Sequence, residues 1–428
     1  MSPTADAAQK PIHLWVLHHG LWGHPDHLTL LAKTILDKAS QTGESVQVLN
    51  IAVNSGTWTY AGVDGCGAKT VRIVTERLAD ASKPRISHIS FAGYSLGGLI
   101  LRYAIGVLYA HGVFANPSQP ASSSSAVSNE LGFSPVIAHK FVTFASPHLG
   151  TYNPSSANSG LYFRLASFLL ARPGAQMLHQ DRTGLDNRKM INVLADPALP
   201  FFQGLALFEE RILYGNIIND NMVGHRTSTL LSLSPQKSLE KQYVYTLPAI
   251  NPDTYPSIVL LKSPTDPSIS AASTSLAVAE PKPTVGEIIA RGAWSVCFVA
   301  ALTLQRWYWI GLQMYDGWTQ NWRKTPVSSN GPTGLLKLLS PSNEPSDWLK
   351  SWPSNSNETS RVVSLDLVQE NDGDAYAFEQ LNRLTWQRLH VRSKERRAHA
   401  SIVGRINGNE DVVRHFGDTF LGAEKHRV

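Results

Sequence analysis

The residues best suited to chemistry fall in one short stretch. From Ile89 to Arg102 the chain reads Ile-Ser-Phe-Ala-Gly-Tyr-Ser-Leu-Gly-Gly-Leu-Ile-Leu-Arg. A β-type run over 86–92 enters a G-x-S-x-G turn at Gly93-Tyr-Ser-Leu-Gly97, and a helix-like run follows from Gly98. A serine at such a strand-to-helix turn presents its hydroxyl at the carboxyl edge of a sheet. The flanking glycines let the backbone close a strained turn without a Cβ clash. The pentapeptide alone arises by chance; its strand-turn-helix setting singles out Ser95.

A serine hydroxyl is a weak nucleophile near neutral pH, so it needs a base and an acid that orients the base. Where this turn is used for catalysis the chain order is Ser, then Asp or Glu, then His, each beyond a strand's carboxyl end. Asp220 meets the acid's requirement because it directly follows the apolar run 211–218, whereas Asp186 and Asp196 end no convincing strand. The candidate bases are His225, His390, His399 and His415. His225 is too near Asp220 for a separate loop to return it, and His390 lies inside a strand-like run. His399 opens a small-residue turn ahead of Ile402-Val403 and is favoured by pattern, though the other three are not eliminated. A tetrahedral oxyanion needs two backbone N–H donors. Leu96, at the start of the helix after the nucleophile, supplies one; Leu21, in the Gly20-Leu-Trp-Gly23 loop, supplies the other. The His19 side chain is expected to brace that loop.

These groups require a scaffold of strands alternating with helices. Residues 12–16 and 46–53 read as strands, and 25–39 has helical apolar spacing. The Gly65-Cys-Gly67 turn is expected to precede a helix over 70–81, and the helix after Ser95 runs to about Tyr109. A strand over 136–145 closes on Ser146-Pro-His-Leu-Gly150, and 161–170 reads as an apolar helix, either core or cap. Order resumes with 361–367 and a helix over 375–386. The alternation predicts a parallel sheet wrapped on both faces. Residues 116–134 are rich in Ser, Pro and Ala and read as a surface loop.

Composition narrows the class. The chain has 428 residues, 43% hydrophobic, with eleven Trp, which suits a globular enzyme with a large core. A net charge of +5 with no basic arm gives no reason to expect a nucleic-acid partner. Two cysteines, Cys66 and Cys297, make no disulfide framework and favour a reducing compartment. The first ten residues carry no signal-peptide core, so the chain is expected on the cytosolic side and not secreted. There is no H-x-x-x-H, zinc knuckle, P-loop or dinucleotide fingerprint, so no cofactor or metal is expected.

Several ordered motifs together carry a family resemblance: Leu17-His-His-Gly-Leu-Trp-Gly-His-Pro-Asp-His27, Gly93-Tyr-Ser-Leu-Gly-Gly98, Thr143-Phe-Ala-Ser-Pro-His-Leu-Gly150 and Phe208-Glu-Glu-Arg-Ile-Leu-Tyr-Gly-Asn-Ile-Ile-Asn-Asp220. Val223 and Thr227-Ser228 continue the pattern. The chain resembles the fungal and plant serine esterase/lipase family of the α/β-hydrolase superfamily over about 11–230 and again near 380–407, and its layout is most similar to the yeast lipid-droplet phospholipase branch. The resemblance implies Ser95 as nucleophile, Asp220 as acid and the histidine of Ala398-His399-Ala400 as base. One departure is Met222-Val-Gly-His225, where the family has Val-Pro-aromatic, which puts the shape of that loop in question.

The expected layout is a flexible tail (1–10), an α/β-hydrolase core (11–240), a Pro/Ser-rich linker (241–284), a hydrophobic membrane- or droplet-associating insertion (285–325), a low-complexity loop (326–360), and a return to the core carrying the base (361–428). The insertion holds an apolar run of about twelve residues, too short to span a bilayer, followed after Gln305-Arg306 by Trp307-Tyr-Trp-Ile-Gly-Leu-Gln-Met-Tyr315. Aromatics around an apolar run suit a lipid interface; a buried helix pair is the alternative. The basic run 388–397 could attract anionic lipid, although a solvated face is its ordinary role. The expected activity is cleavage of acyl esters of lipids at a lipid-droplet or membrane surface, with a phospholipid first. A mono- or triacylglycerol, or a protein S-acyl thioester, is the alternative substrate. An inactive, hydrolase-like droplet scaffold is the alternative of another class.

Overall fold

The computed structural model describes residues 11–115, 133–151, 170–182, 188–231, 249–260 and 374–421, with positions 300, 303, 304, 307, 308 and 311 besides. Among the described residues, eight strands form one sheet: β1 (Ile12–His18), β2 (Val46–Asn50), β3 (Ile86–Tyr94), β4 (Ile137–Phe144), β5 (Glu210–Asn216), β6 (Ala249–Asn251), β7 (Tyr255–Val259) and β8 (Gln387–Val391). Their order is β2-β1-β3-β4-β5-β8-β7-β6. Strands β1 to β5 and β8 run parallel, and the β6–β7 hairpin adds antiparallel to β8. The described helices are α1 (Thr29–Thr42), α2 (Gly62–Leu78), α3 (Leu96–Ala110), α4 (Ala171–Met177), α5 (Met190–Ala195), α6 (Pro200–Ala206), α7 (His225–Thr229), α8 (Ala375–Leu381), α9 (Ala398–Ser401) and α10 (Glu410–Phe420).

A strand's side chains alternate between faces, and a parallel strand covered by helices must be apolar on both. Strand β1 obeys this: Leu14 and Val16 enter the core beneath α2 and α3, while Trp15 and Leu17 enter the core beneath α1 and α10. Helix α3 is buried along almost its whole length, so the element that begins at Ser95 cannot shift without disturbing the main core. The architecture is the mostly parallel, doubly wound α/β-hydrolase fold, with a long insertion between β5 and β8.

Two sequence expectations need correction. Gly65-Cys-Gly67 is not a turn before a helix but lies within the early turns of α2. Gly67 is there because a Cβ at that position would run into the Tyr103 ring of α3, so the glycine permits close helix packing. The stretch 241–284 is not wholly a linker, since 249–259 form the edge hairpin. Asn251 Oδ1 accepts the N–H groups of Asp253 and Thr254 to close its turn, and Ile258 and Val259 are buried beside β8. Ser257 N–H also donates to Asp411 at 2.8 Å. The short Tyr-Pro-Ser-Ile-Val strand was hidden by the Pro, Ser and Thr around it. The expectations for 1–10, 116–132, 161–169, 326–360 and 361–367, and for most of 285–325, lie outside the described residues. Among the described residues no helix is long and apolar enough to cross a membrane.

Buried histidines should make the fold acid-sensitive. Burial, before any nearby charge, pushes His13, His18 and His225 from 6.5 down to about 3, and His139 and His390 down to about 4. A group whose folded value is depressed favours the fold above its unfolded value and loses that contribution as pH falls towards the folded value. The thermal midpoint should therefore hold near neutrality and drop steadily below about pH 6.5, with the fold giving way before about pH 3. A midpoint unchanged between pH 7 and pH 4.5 in a calorimetric series would contradict this.

Candidate active site

The turn after β3 holds Ser95 at φ 55 and ψ −128, a region that a side chain rarely occupies. The turn is affordable only because its neighbours are small. A Cβ on Gly93 would sit 2.6 Å from Gly98, and one on Gly97 would sit 2.6 Å from the His19 carbonyl. Ser95 N–H also donates to Phe144 O at 2.9 Å, tying the turn to β4. Other non-glycine residues with positive φ stand on the same carboxyl edge: Trp22 after β1, Ala145 after β4 and Asn219 after β5. Strain gathered where several loops converge is characteristic of a functional edge.

The structure brings three of the expected residues together. His399 Nε2 lies 2.9 Å from Ser95 Oγ, and His399 Nδ1 lies 2.9 Å from Asp220 Oδ2. With Nδ1–H donating to the carboxylate, Nε2 is free to accept the Ser95 hydroxyl proton. Asp220 is nearly buried, and its other oxygen accepts the N–H groups of Met222 and Val223 at 3.0 and 2.9 Å. Burial alone would raise its carboxyl. The hydrogen bond and charge of His399, helped by Val223 N–H and Asn216, outweigh that and hold it below the ordinary carboxylate value. The Met222-Val-Gly sequence therefore still delivers two N–H groups that grip the Asp220 carboxylate.

The other candidate bases are occupied elsewhere. His225 Nε2 and His390 Nδ1 share a hydrogen bond of 2.9 Å inside the protein, and His415 Nδ1 pairs with the Tyr214 hydroxyl at 2.9 Å. Of the two expected oxyanion donors, Leu96 directly follows Ser95, and Leu21 follows Gly20, where an added Cβ would stand 2.7 Å from Ser95 Cβ. Leu96 is the first residue of α3, where N–H groups have no helical acceptor. In the loop after β1, Trp22 N–H is committed to Thr59 Oγ1 and Gly23 N–H to Gly20 O, whereas among the described residues neither Gly20 N–H nor Leu21 N–H has a hydrogen-bond acceptor.

Several supporting groups were not read from the sequence. The Tyr94 hydroxyl donates to His399 O at 2.8 Å, linking the nucleophile's strand to the base's loop. Asn216 Nδ2 donates to Asp220 Oδ2 at 2.9 Å, and Asn219 Nδ2 donates to Ser393 O. Asn54 Nδ2 donates to His18 Nε2 at 2.9 Å, so His18 carries its proton on Nδ1 and donates to His19 O at 2.7 Å. That relay fixes the direction of the peptide leading into Gly20. His19 Nδ1 lies 3.0 Å from Gly20 O, in keeping with a bracing role. Asparagines near a strand end are the one sequence signal that could have drawn attention to Asn216. A cavity of about 330 Å³ lined by His13, Trp15, His88 and Lys140 lies at the opposite, amino edge of the sheet.

The oxyanion loop offers a test. A Cβ on Gly20 would stand 2.7 Å from Ser95 Cβ and 3.2 Å from Tyr94 O, with no flexible end to yield. Gly20→Ala should cut kcat/KM by roughly 100-fold or more, because small displacements of a reacting group are costly. A loss of less than about threefold would mean that this loop does not border the reacting atoms.

Comparison with known proteins bears on the same region. A family model described as “Putative serine esterase (DUF676)” matches residues 8–232. “Putative lipase C4A8.10” of Schizosaccharomyces pombe is 30% identical over 245 residues, covering 53% of this chain and 27% of that protein. “Putative lipase ROG1” of Saccharomyces cerevisiae is 28% identical over 242 residues, covering 54% and 30%. The match thus spans less than a third of either curated relative. Among solved structures, Aspergillus fumigatus lipase B is 15% identical, with 55% of this chain and 45% of that one covered at a TM-score of 0.29, a likeness too slight to assign a role to any residue.

Proposed function

Since the chain belongs to the “Putative serine esterase (DUF676)” family, whose model spans more than half of it, we propose that it is a serine hydrolase that cleaves the acyl esters of lipids. The observation that carries this reading is the pair of 2.9 Å contacts joining Ser95, His399 and Asp220 across three separate loops. His399 takes the Ser95 proton at Nε2 as Oγ attacks the ester carbonyl. Asp220 remains ionised, holds the imidazole tautomer and stabilises the imidazolium. The Leu21 and Leu96 amides bind the tetrahedral oxyanion. On collapse, His399 returns the proton to the departing alcohol and an acyl-Ser95 ester remains. Water deprotonated by His399 then attacks the acyl carbon, Ser95 leaves with the returned proton, and the fatty acid is released.

The substrate proposed first is a phospholipid, cleaved to a lysophospholipid and a fatty acid at a droplet or membrane surface. The family resemblance supports it, and so does the insertion before His399. Among the described positions of that insertion, Leu304, Trp307 and Tyr308 are helical. Leu304, Trp307 and Tyr308 are 72%, 62% and 65% exposed, as suits contact with lipid. The test is a side-by-side assay on phosphatidylcholine, monoacylglycerol and an acyl thioester, with products identified by mass. Release of fatty acid from phosphatidylcholine at the highest kcat/KM is expected. Preference for either alternative would reassign the substrate, and no turnover of any would favour a lipid-binding scaffold.

A further inference from the structure

The edge of the sheet that carries Ser95 is rimmed by cations and exposed apolar side chains that the reaction does not use. The basic run in the sequence divides in space. Arg388, near the amino end of β8, is spent on Thr229 O and the Asn382 side chain. Past the carboxyl end of β8 the chain turns through Lys394, Glu395, Arg396 and Arg397, all exposed, and then into α9 and His399. That loop is pinned beside the acid, because Asn219 donates to Ser393 O and Glu395 N–H donates to Ser393 Oγ. Among the described residues, Lys394, Arg396 and Arg397 have no carboxylate within ion-pair distance, and Glu395 is the loop's own counter-charge. Arg405 is also exposed, and its charge adds to burial in lowering the His27 imidazole below its ordinary value. Cations therefore flank the site from the base's loop round to the oxyanion side.

Apolar groups share this edge. Met222, two residues past the acid, is 60% exposed. Trp58 and Val53, in the segment after β2 that is hydrogen-bonded to the oxyanion loop through Gly56 N–H and Gly23 O, are also exposed. Lys69 stands over the Trp58 ring at 5.0 Å. An exposed tryptophan and methionine cost free energy in water, and exposed arginines at the same sheet edge, with no ion-pair partner among the described residues, fit a surface that is apolar within and anionic at its face.

We propose that this rim is the docking surface by which the protein seats its active site on an anionic lipid surface. The inference rests on the lipid-ester reading above and adds a headgroup charge to it. Each rim cation contributes about a fivefold gain in partition onto an anionic membrane, and salt screens that gain. The apolar residues contribute a part that salt leaves in place.

The experiment uses the full chain with Ser95→Ala, so that binding is read without turnover. Co-sedimentation is measured with vesicles of phosphatidylcholine alone and with about 30% phosphatidylserine. The expected result is at least tenfold stronger partition onto the anionic vesicles, collapsing at roughly 0.5 M salt. Arg396→Gln with Arg397→Gln should reduce it about 25-fold. Trp58→Gln should weaken binding to both vesicles at either salt concentration. Equal partition onto the two vesicles, or no effect of the arginine pair with the thermal midpoint intact, would overturn the proposal. So would binding to a short single-stranded RNA with no preference for phosphatidylserine. Hydrolysis of a soluble short-chain ester by the wild-type chain, measured apart, reports on the esterase reading alone, so the two can fail separately.

Discussion

Ser95→Ala should lower kcat on a soluble short-chain ester by roughly 10⁴- to 10⁶-fold, while the thermal midpoint moves by no more than a few degrees. The two halves of this expectation have different causes. Alanine keeps the Cβ, so the strained turn at φ 55 is neither relieved nor worsened. It removes one partly buried hydrogen bond, to His399 Nε2, worth about 1 kcal/mol. On the proposed mechanism, catalysis loses the oxygen that forms the acyl bond. The residues also act as a unit, so His399→Ala added to Ser95→Ala should cost almost nothing further. A double variant markedly slower than Ser95→Ala alone would show that His399 works with some other nucleophile.

Asp220→Asn should be nearly as damaging, at roughly 10⁴-fold in kcat, and should also destabilise the fold by about 1–3 kcal/mol. The reason lies in which atoms face the carboxylate. Oδ1 accepts two backbone N–H groups, from Met222 and Val223, and Oδ2 accepts from His399 and Asn216. All four partners are donors. An amide has one accepting oxygen, and the two backbone groups cannot move to accommodate it. Its NH2 would then face His399 and Asn216. For His399 to accept at Nδ1, its proton must move to Nε2, where it points at the Ser95 hydroxyl and cannot take a proton from it. Asn216→Ala alone removes one donor and leaves the tautomer correct, so its loss in kcat should be far smaller. If Asp220→Asn were as active as Asn216→Ala, the acid would have to be sought elsewhere.

Asp220 also has a pH consequence of known sign. Its folded carboxyl is held below the ordinary value, so its contribution to stability is present above that value and is lost as the pH falls through the lowered one. The loss adds to that from the buried histidines, and both act in the acid direction.

Much of the candidate site was legible because the proposed chemistry imposes local signatures. Ser95 is announced by the glycines that its backbone angle requires, and Asp220 by the end of an apolar strand. The strand and helix alternation was legible for a similar reason: Leu14 to Leu17 are apolar on both faces because helices cover both. What escaped was set by contacts between distant segments. Nothing near Gly67 in sequence announces the Tyr103 ring that makes it a packing glycine within a helix. The β7 strand is stabilised by Asp411, far along the chain, and its own composition resembles a linker. Pattern could rank His399 but not separate it from His390 or His415, because only packing reveals that those two are already paired. Tyr94 was read only as a residue of the turn, and its hydrogen bond to the base's loop depends on a chain reversal that the sequence does not display.

The reading of Ser95 as an activated nucleophile can be tested by treating the full chain with a fluorophosphonate probe, digesting it and identifying the modified peptide by mass. The expected result is a single adduct on Ser95, absent from Ser95→Ala and formed far more slowly in His399→Ala and Asp220→Asn. No adduct on Ser95 in the folded wild-type chain, or labelling of another residue that survives Ser95→Ala, would contradict it.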